Sequence, residues 1–239
     1  MTAHGYEKPV FRQAGDTGII VEFGDGIDPV VNSKVRAMAQ SLKSGLPEGI
    51  VEIIPTYRSL LFIYDPSQIW YDKLTGFIEE KAADITAIEE TAPTVVEIPV
   101  CYGGELGPDI GNVCDSSGLD EKEVIRLHCE PDYLIYMVGF TPGFPFLGGL
   151  ADPLHTPRLK TPRMLVPEGS VGIANNQTGM YPIASPGGWQ LIGWTPFTLF
   201  APEKKNPFLY KAGDRIRFVP ISADEYQTIK EKENASWTP

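Results

Sequence analysis

The spacing of apolar and polar positions in the first hundred residues predicts strands alternating with amphipathic helices. Apolar runs predict strands at residues 17–23, 50–54, 60–64 and 95–100. Two helices are predicted between them, and their apolar positions recur at helical spacing: Val31, Val35, Met38 and Leu42 in the first, and Trp70, Leu74, Phe77, Ile78 and Ile85 in the second. Asp28 followed by Pro29 is a favourable start for the first helix, and Gly45 ends it. The order β-α-β-β-α-β is that of the ferredoxin-like split β-α-β unit, and we expect the apolar stripes to be core.

The polar, proline-containing segment at residues 89–94 predicts a domain boundary. The pattern before it is that of an α+β domain, and the apolar runs beyond residue 139 are short and bounded by glycine, proline or asparagine. We therefore predict an N-terminal α+β domain at residues 1–91 and a mainly-β domain at residues 92–239.

The second domain is predicted to be a β-barrel or sandwich, because many short strands are separated by turn signals. Asp120 and Glu123 form a capping-box pattern for a short helix ending at Leu127, and Ser222 with Glu225 caps a charged terminal helix at residues 223–233. The predicted strands lie at residues 133–138, 170–174, 179–183, 190–194, 198–200 and 215–219.

Residues 139–196 combine glycine, proline and aromatic residues with little ordinary surface sequence. Proline fixes φ and glycine reaches φ values closed to other residues, so this composition specifies one loop path. We interpret the stretch as a shaped, apolar-lined surface for a small ligand or a partner. Its aromatic residues fit either a ligand wall or the barrel core: Phe140, Phe144, Phe146 and Trp189.

Polar residues in the same stretch suit the binding of a small amide or carboxylate. Arg158 and Arg163 each follow a proline directly, and a guanidinium beside a rigid apolar wall can hold a carboxylate or phosphate in bidentate fashion; a surface arginine that bonds loop carbonyls is the alternative. Amide and hydroxyl groups that suit a neutral amide ligand are those of Asn175, Asn176, Gln177, Thr178 and Tyr181, although turn formation explains the two asparagines equally well.

The composition narrows the class of protein. The net charge is -11 and no basic cluster occurs, so nucleic-acid binding is not expected. Three cysteines without metal-ligand spacing indicate free thiols, and no signal peptide or membrane-spanning run is visible. We expect a cytoplasmic protein that makes no membrane contact and binds no metal.

Most catalytic signatures are missing. No phosphate-binding P-loop occurs, Pro29 stands where a dinucleotide-binding fingerprint needs its third glycine, and Glu168 stands where a nucleophile elbow around Ser170 needs a glycine. His128 lies on the apolar side of its predicted helix and is interpreted as structural, whereas His155 lies within the glycine- and proline-rich stretch. No residue is assigned a catalytic role.

Five motifs, in this order and spacing, resemble the family of 5-oxoprolinase B subunits, also called KipI-like or allophanate hydrolase subunit 1. The resemblance covers essentially the whole chain, although Asn175 and Trp194 stand where the family commonly has glycine and arginine. The motifs are Gly139-Phe140-x-Pro142-Gly143-Phe144-Pro145-Phe146-Leu147-Gly148-Gly149, Thr161-Pro162-Arg163, Val166-Pro167-x-Gly169-Ser170-Val171, Gln177-Thr178-Gly179-x-Tyr181-Pro182 and Ser185-Pro186-Gly187-Gly188-Trp189.

This resemblance implies a cyclophilin-like β-barrel after the N-terminal domain. It also implies work in a complex, in which the B, C (KipA-like) and A subunits of 5-oxoprolinase together open 5-oxoproline to glutamate at the expense of ATP. In that scheme the lactam oxygen is phosphorylated, which activates the ring carbon for water. No cofactor is expected in this chain alone, and ATP with Mg is expected for the complex. The related urea carboxylases handle another small amide.

Two functions of different classes follow from the resemblance. In the first, the chain is inactive alone and supplies one wall of a lactam site that the C subunit completes. In the second, it is a KipI-like inhibitor that binds a sensor histidine kinase through the barrel domain. A prolyl isomerase activity rests on fold analogy only. The residues expected to bind substrate or partner are Phe140, Pro142, Gly143, Phe144, Phe146, Arg158, Arg163, Gln177, Thr178, Tyr181, Pro186, Gly187, Gly188 and Trp189.

Overall fold

The computed structural model describes residues 4–85 and 93–235. Contacts within the chain divide it into two units, Met1–Ala92 and Pro93–Pro239. The boundary predicted at residues 89–94 falls mostly on residues 86–92, which lie outside the described part.

The N-terminal unit contains a four-stranded antiparallel sheet and two helices. The strands follow the order β1-β2-β4-β3 across the sheet, and a short 3-10 helix at Leu42–Ser44 follows the first α-helix. The elements are β1 (Gly5–Gln13), β2 (Gly18–Gly24), α1 (Pro29–Ser41), β3 (Ile50–Pro55), β4 (Ser59–Tyr64) and α2 (Tyr71–Ala83).

Alternation along β2 and β4 builds the core of this unit. Ile19, Val21 and Phe23 of β2 are buried together with alternate residues of β4 and with the apolar stripes of both helices. The predicted start of α1 is confirmed, because an Asp28 carboxylate oxygen accepts hydrogen bonds from the backbone N–H groups of Val30 and Val31. The prediction that Trp70 belongs to the buried stripe of the second helix is wrong, because Trp70 precedes α2 and its side chain is exposed.

The connectivity of the N-terminal unit corrects the predicted β-α-β-β-α-β order to β-β-α-β-β-α. The predicted sixth element belongs to the second unit, where it pairs with the last strand of the chain. Its place beside β2 is taken by β1, a strand absent from the prediction. No residue of β1 is fully buried, so it lacks the apolar alternation that would reveal it, and Pro9 is tolerated because β1 is an edge strand.

The second unit, termed the barrel unit here, is dominated by β-strands, with α3 and α4 preceding its hairpins and α5 following its last strand. A short 3-10 helix lies at Asp152–Leu154. The elements are β5 (Val95–Tyr102), α3 (Ile110–Ser117), α4 (Glu121–Cys129), β6 (Tyr133–Val138), β7 (Pro145–Gly148), β8 (Arg163–Val166), β9 (Ser170–Ala174), β10 (Gln177–Met180), β11 (Ser185–Gly187), β12 (Gln190–Trp194), β13 (Arg215–Pro220) and α5 (Ala223–Ala235).

Seven of these strands form one curved sheet in the order β10-β9-β12-β5-β13-β6-β7. Its two edge strands, β7 and β10, contact each other, so the sheet is a nearly closed barrel, as the short strands predicted. Only the β5–β13 pair is parallel among the described pairings of this sheet. The remaining strands, β8 and β11, form a separate two-stranded ribbon.

The barrel interior is a continuous apolar cluster that includes Ile98, Ile135, Ile173, Ile192 and Phe218. The prediction of a strand at residues 198–200 is wrong, because Phe200 makes only an isolated bridge to Phe208. The strand predicted at residues 179–183 begins and ends earlier, as β10. None of the described helices combines the length and apolar character required to cross a bilayer.

Candidate binding site on the barrel unit

Phe144 is the centre of an aromatic cluster separate from the barrel interior. Its ring makes edge-on contacts at centroid distances of 5.2–6.1 Å with four other rings, those of Phe140, Phe146, Tyr181 and Trp189. Phe144, Tyr181 and Trp189 are buried, Phe146 is half-buried, and Phe140 is exposed. Of the four aromatic residues that the sequence left open, Phe144 and Trp189 are therefore core, Phe146 is intermediate, and Phe140 is presented at the surface.

The loop that carries Phe140 is held in one conformation by its own hydrogen bonds. The backbone N–H of Gly139 donates to the Phe144 carbonyl (3.0 Å), and the N–H of Phe144 donates to the Thr141 carbonyl (3.0 Å). Phe140 has φ 66°, a left-handed conformation that is unfavourable for a bulky residue, and its side chain is 79% exposed. An exposed aromatic residue in a strained, hydrogen-bonded loop is typical of a contact site.

Gly143 shows why this loop needs its glycine. Its φ is 85°, and a Cβ there would lie 3.1 Å from Cβ of Phe200 and 3.2 Å from Cβ of Pro182. The Gly143 carbonyl also accepts a hydrogen bond of 2.7 Å from the Tyr210 hydroxyl. The loop is consequently packed against the segment that carries Phe208, which is 44% exposed. Phe140, Pro142 and Phe208 together are termed the apolar patch.

The β8–β11 ribbon adds further exposed apolar side chains. Met164 is 87% exposed and Leu165 63% exposed, and Pro186 in the opposite strand is exposed as well. Gly187 lies over the aromatic cluster, where a Cβ would come 2.3 Å from the Tyr181 hydroxyl oxygen. Gly188 anchors the preceding segment, since its carbonyl accepts a 2.7 Å hydrogen bond from the Leu159 N–H.

Arg163 is engaged in an ion pair. Its Nη2 donates to Oδ1 of Asp109 (2.7 Å), and the other oxygen of that carboxylate accepts the backbone N–H of Leu191 (2.7 Å). Asp109 is buried, and the Arg163 side chain is 30% exposed. Through Asp109, Arg163 thus ties the β8–β11 ribbon to β12. This structural role is the alternative to the sequence-based interpretation of Arg163 as a ligand clamp.

Of the two arginines singled out from the sequence, Arg158 is the one without an ion pair to a described carboxylate. Its Cζ lies 6.0 Å from the ring centroid of Trp189, within reach of a cation-π contact, and the residue is exposed. None of the described carboxylates forms an ion pair with it. Of the two arginines singled out from the sequence, Arg158 is therefore the one placed to receive an anion.

Thr178 was expected on the ligand surface, but its side chain lies inside the barrel unit. It is buried, and its hydroxyl donates to the Gly172 carbonyl (3.2 Å) and accepts from Nε2 of His128 (2.7 Å). Tyr181 is likewise buried, and burial raises its pKa to about 12. Neither side chain faces solvent, whereas Gln177 at the start of β10 is half-buried.

The structural interpretation of His128 is confirmed. The ring is fully buried and stacked on Phe218, and because Nε2 donates to Thr178, Nδ1 accepts from the Tyr102 hydroxyl (2.8 Å). Burial lowers the pKa of His128 to about 3 and raises that of the neighbouring Tyr102, Tyr133 and Cys129.

The lowered pKa of His128 predicts a pH-dependent stability. In the unfolded chain the imidazole takes up a proton near pH 6.5, whereas in the folded chain it stays neutral down to about pH 3. Acid therefore favours the unfolded state, and in this window the imidazole alone lowers the free energy of unfolding by about 1.4 kcal/mol per pH unit as the pH falls. Urea unfolding at several pH values should show that the free energy of unfolding changes less steeply with pH in His128→Gln than in the unsubstituted chain. Equal slopes would contradict the buried neutral imidazole.

A shallow recess lies where the segment around His155 meets the turn between β9 and β10. It has a volume of about 320 Å³ and is lined by His155, Thr156, Pro157, Asn175 and Asn176. Asn175 has φ 53°, a left-handed conformation that asparagine tolerates better than most residues. The sequence analysis named His155, Asn175 and Asn176 singly, but only the fold brings the segment around His155 next to the β9–β10 turn.

The acidic, histidine and cysteine side chains of the described residues are not grouped as a metal site requires. Among them there is no group of three His, Cys, Asp or Glu side chains that would hold a metal ion. The three cysteines of the chain are free thiols, one of them buried. The side chains gathered at the barrel surface are suited instead to amide, carboxylate and apolar contacts.

Comparisons with known proteins agree over nearly the whole chain. A family model described as "Carboxyltransferase domain, subdomain C and D" matches residues 9–210. A relative from Bacillus subtilis (strain 168), named as the B subunit of 5-oxoprolinase, is 43% identical over 233 residues, covering 93% of this chain and 97% of the relative. The protein of the same name from Escherichia coli O157:H7 is 42% identical over 210 residues, covering 86% and 93%.

A crystal structure supports the fold independently. The Kluyveromyces lactis urea carboxylase matches with a TM-score of 0.77 at 22% identity, and the match covers 95% of this chain but 23% of the larger protein. At that identity the likeness shows the fold alone. The same fold therefore also occurs as one part of a much longer polypeptide.

Proposed function

Because the chain belongs to the family of 5-oxoprolinase B subunits, we propose that it works as the B subunit of an ATP-dependent complex that opens 5-oxoproline to L-glutamate. The observation that supports this most strongly is the 43% identity to a protein of that name over 97% of its length. The C (KipA-like) and A subunits are the proposed partners, and the chain alone is proposed to be inactive. ATP with Mg, bound by the assembled complex, supplies the activation of the lactam carbonyl.

The geometry of the barrel unit supports a shared site. The described residues include polar groups suited to an amide or carboxylate, chiefly Arg158 and those of the recess, whereas the Thr178 hydroxyl that contacts His128 is buried. Next to them lie exposed apolar side chains on two rigid supports, Phe140 on its loop and Met164 and Leu165 on the ribbon. Apolar residues of this kind are typical of protein contact surfaces.

The role of each side chain at the surface follows from its burial. We propose that Phe140 and Pro142 contact the neighbouring polypeptide of the complex, and that Phe144 and Trp189 fix their position from below. Arg163, paired with Asp109, positions the ribbon rather than binding substrate. A site assembled at such a surface excludes water only after the partner is in place, which is why the chain alone should not turn over substrate.

The proposed function is tested by omission. The chain is co-expressed with its C and A partners, the complex is purified, and ADP release is measured with and without 5-oxoproline. We expect 5-oxoproline-dependent ATP hydrolysis by the full complex and none by the partners alone. Full activity of the partners without this chain would contradict the proposal.

A regulatory role is the second candidate. The apolar patch would serve equally well to dock a sensor histidine kinase, which is the function implied by the KipI-like resemblance. Kinase autophosphorylation with and without the purified chain separates the two roles. A component of the enzyme should leave phosphate incorporation unchanged, whereas an inhibitor should lower it in proportion to the chain added.

A further inference from the structure

We propose that the recess lined by His155, Thr156, Pro157, Asn175 and Asn176 binds the lactam ring of the substrate, and that Arg158, the residue that follows Pro157, binds the carboxylate. This inference rests on the proposed function and names the place on this chain where the substrate is recognised. The volume of the recess, about 320 Å³, lies at the lower end of the range for small-molecule sites, about 300–1,000 Å³.

The recess is built on rigid supports. Thr156 and Asn175 exchange both backbone hydrogen bonds of an antiparallel bridge, at 3.1 and 2.7 Å. The Pro157 carbonyl accepts from the side-chain amide of Gln190 (2.8 Å), whose oxygen in turn accepts from Asn112 (2.9 Å). The segment carrying His155 and Arg158 is therefore tied to β9 and β12, so a bound ring would meet a preformed surface.

The hydrogen-bonding groups of the recess complement a lactam. Nε2 of His155 lies 3.2 Å from the Leu150 carbonyl, which requires an N–H on that nitrogen, so that Nδ1 of the neutral ring is an acceptor. A lactam N–H is a matching donor. The Asn176 side-chain amide offers N–H donors for the lactam carbonyl, whereas the Thr156 hydroxyl is already used by the Leu154 carbonyl.

Arg158 supplies the charge that the recess lacks. Arg163 is paired with Asp109, whereas Arg158 has no carboxylate partner among the described residues and lies against the face of Trp189. A guanidinium held by an aromatic face retains its donors for a ligand carboxylate. In a chain of net charge -11 such an unpaired arginine stands out.

The test uses the assembled complex and two substrates, 5-oxoproline and 2-pyrrolidinone, which is the same lactam without the carboxylate. Arg158→Ala should raise KM for 5-oxoproline about tenfold or more, and should abolish the preference for 5-oxoproline over 2-pyrrolidinone. Lys160→Ala, which removes a neighbouring exposed cation, is the matched control and should leave KM and preference unchanged. An unaltered KM and preference in Arg158→Ala would overturn the assignment of the carboxylate site.

A binding measurement separates this inference from the proposed function. The ring resonances of His155 are followed by NMR in the full chain during titration with 5-oxoproline, with proline as the control ligand that lacks the lactam carbonyl. We expect a saturable shift of the His155 signal with 5-oxoproline, weakened in Asn176→Ala, and none with proline. If the complex is inactive but His155 responds, the recess stands and the proposed function fails. If the complex is active but neither His155 nor Arg158→Ala responds, the recess is not the site.

Discussion

Replacing Phe144 with alanine should lower the free energy of unfolding of the barrel unit by about 3–5 kcal/mol. The side chain is 3% exposed and is the one ring that contacts all four others of the aromatic cluster, so its removal leaves a cavity under the Phe140 loop. Urea denaturation followed by tryptophan fluorescence measures the loss, since Trp189 lies 5.6 Å from the Phe144 ring centroid.

Phe140→Ala is the matched control for this change. Its ring is 79% exposed, so the same truncation should cost about 1 kcal/mol or less of stability. It should instead weaken assembly with the other subunits of the complex. Equal losses of stability in Phe144→Ala and Phe140→Ala would contradict the division of the cluster into a buried centre and an exposed contact residue.

Asp109→Ala should cost about 2–4 kcal/mol of stability. The substitution leaves the backbone N–H of Leu191 without its acceptor and Arg163 without its counter-charge. The range extends down to about 2 kcal/mol because the Arg163 side chain is 30% exposed, so that water replaces part of the lost interaction.

Arg163→Ala distinguishes a structural arginine from a ligand clamp. Asp109 retains its bond to Leu191 in this variant, so the stability loss should be smaller than in Asp109→Ala. In the assembled complex KM should stay within about twofold of the unsubstituted value, because the guanidinium is already paired. A large rise in KM with little loss of stability would show that Arg163 binds substrate after all.

The elements that could be predicted from sequence are those with strong local periodicity. The α1 stripe with its Asp28 cap, and the apolar alternation of β2 and β4, are each specified by neighbouring residues. β1 was not predicted, because an edge strand with no fully buried residue shows no alternation of apolar and polar positions. The strand at residues 95–100 was recognised, but its pairing with β13, more than a hundred residues away in the chain, decides the unit to which it belongs.

The sequence suggests where the candidate site lies, but not the role of each of its residues. Glycine, proline and aromatic composition pointed to the loops that carry the candidate site, because these residues restrict the backbone wherever they occur. The same composition does not reveal which ring is buried: Phe140 and Phe144 are four residues apart, and only one is core. The pairing of Arg163 with Asp109 and the meeting of His155 with Asn175 join segments distant in sequence, so only the fold reveals them.

The most direct test of the shared-site account measures L-glutamate formed from 5-oxoproline and ATP while this chain is titrated into a fixed amount of the C and A subunits. The account predicts a negligible rate without the chain and a saturable rise as it is added, with Phe140→Ala reaching the same plateau at a several-fold higher concentration. A full rate in the absence of the chain, or no rate at saturation, would contradict the claim that this surface completes an active site with another polypeptide.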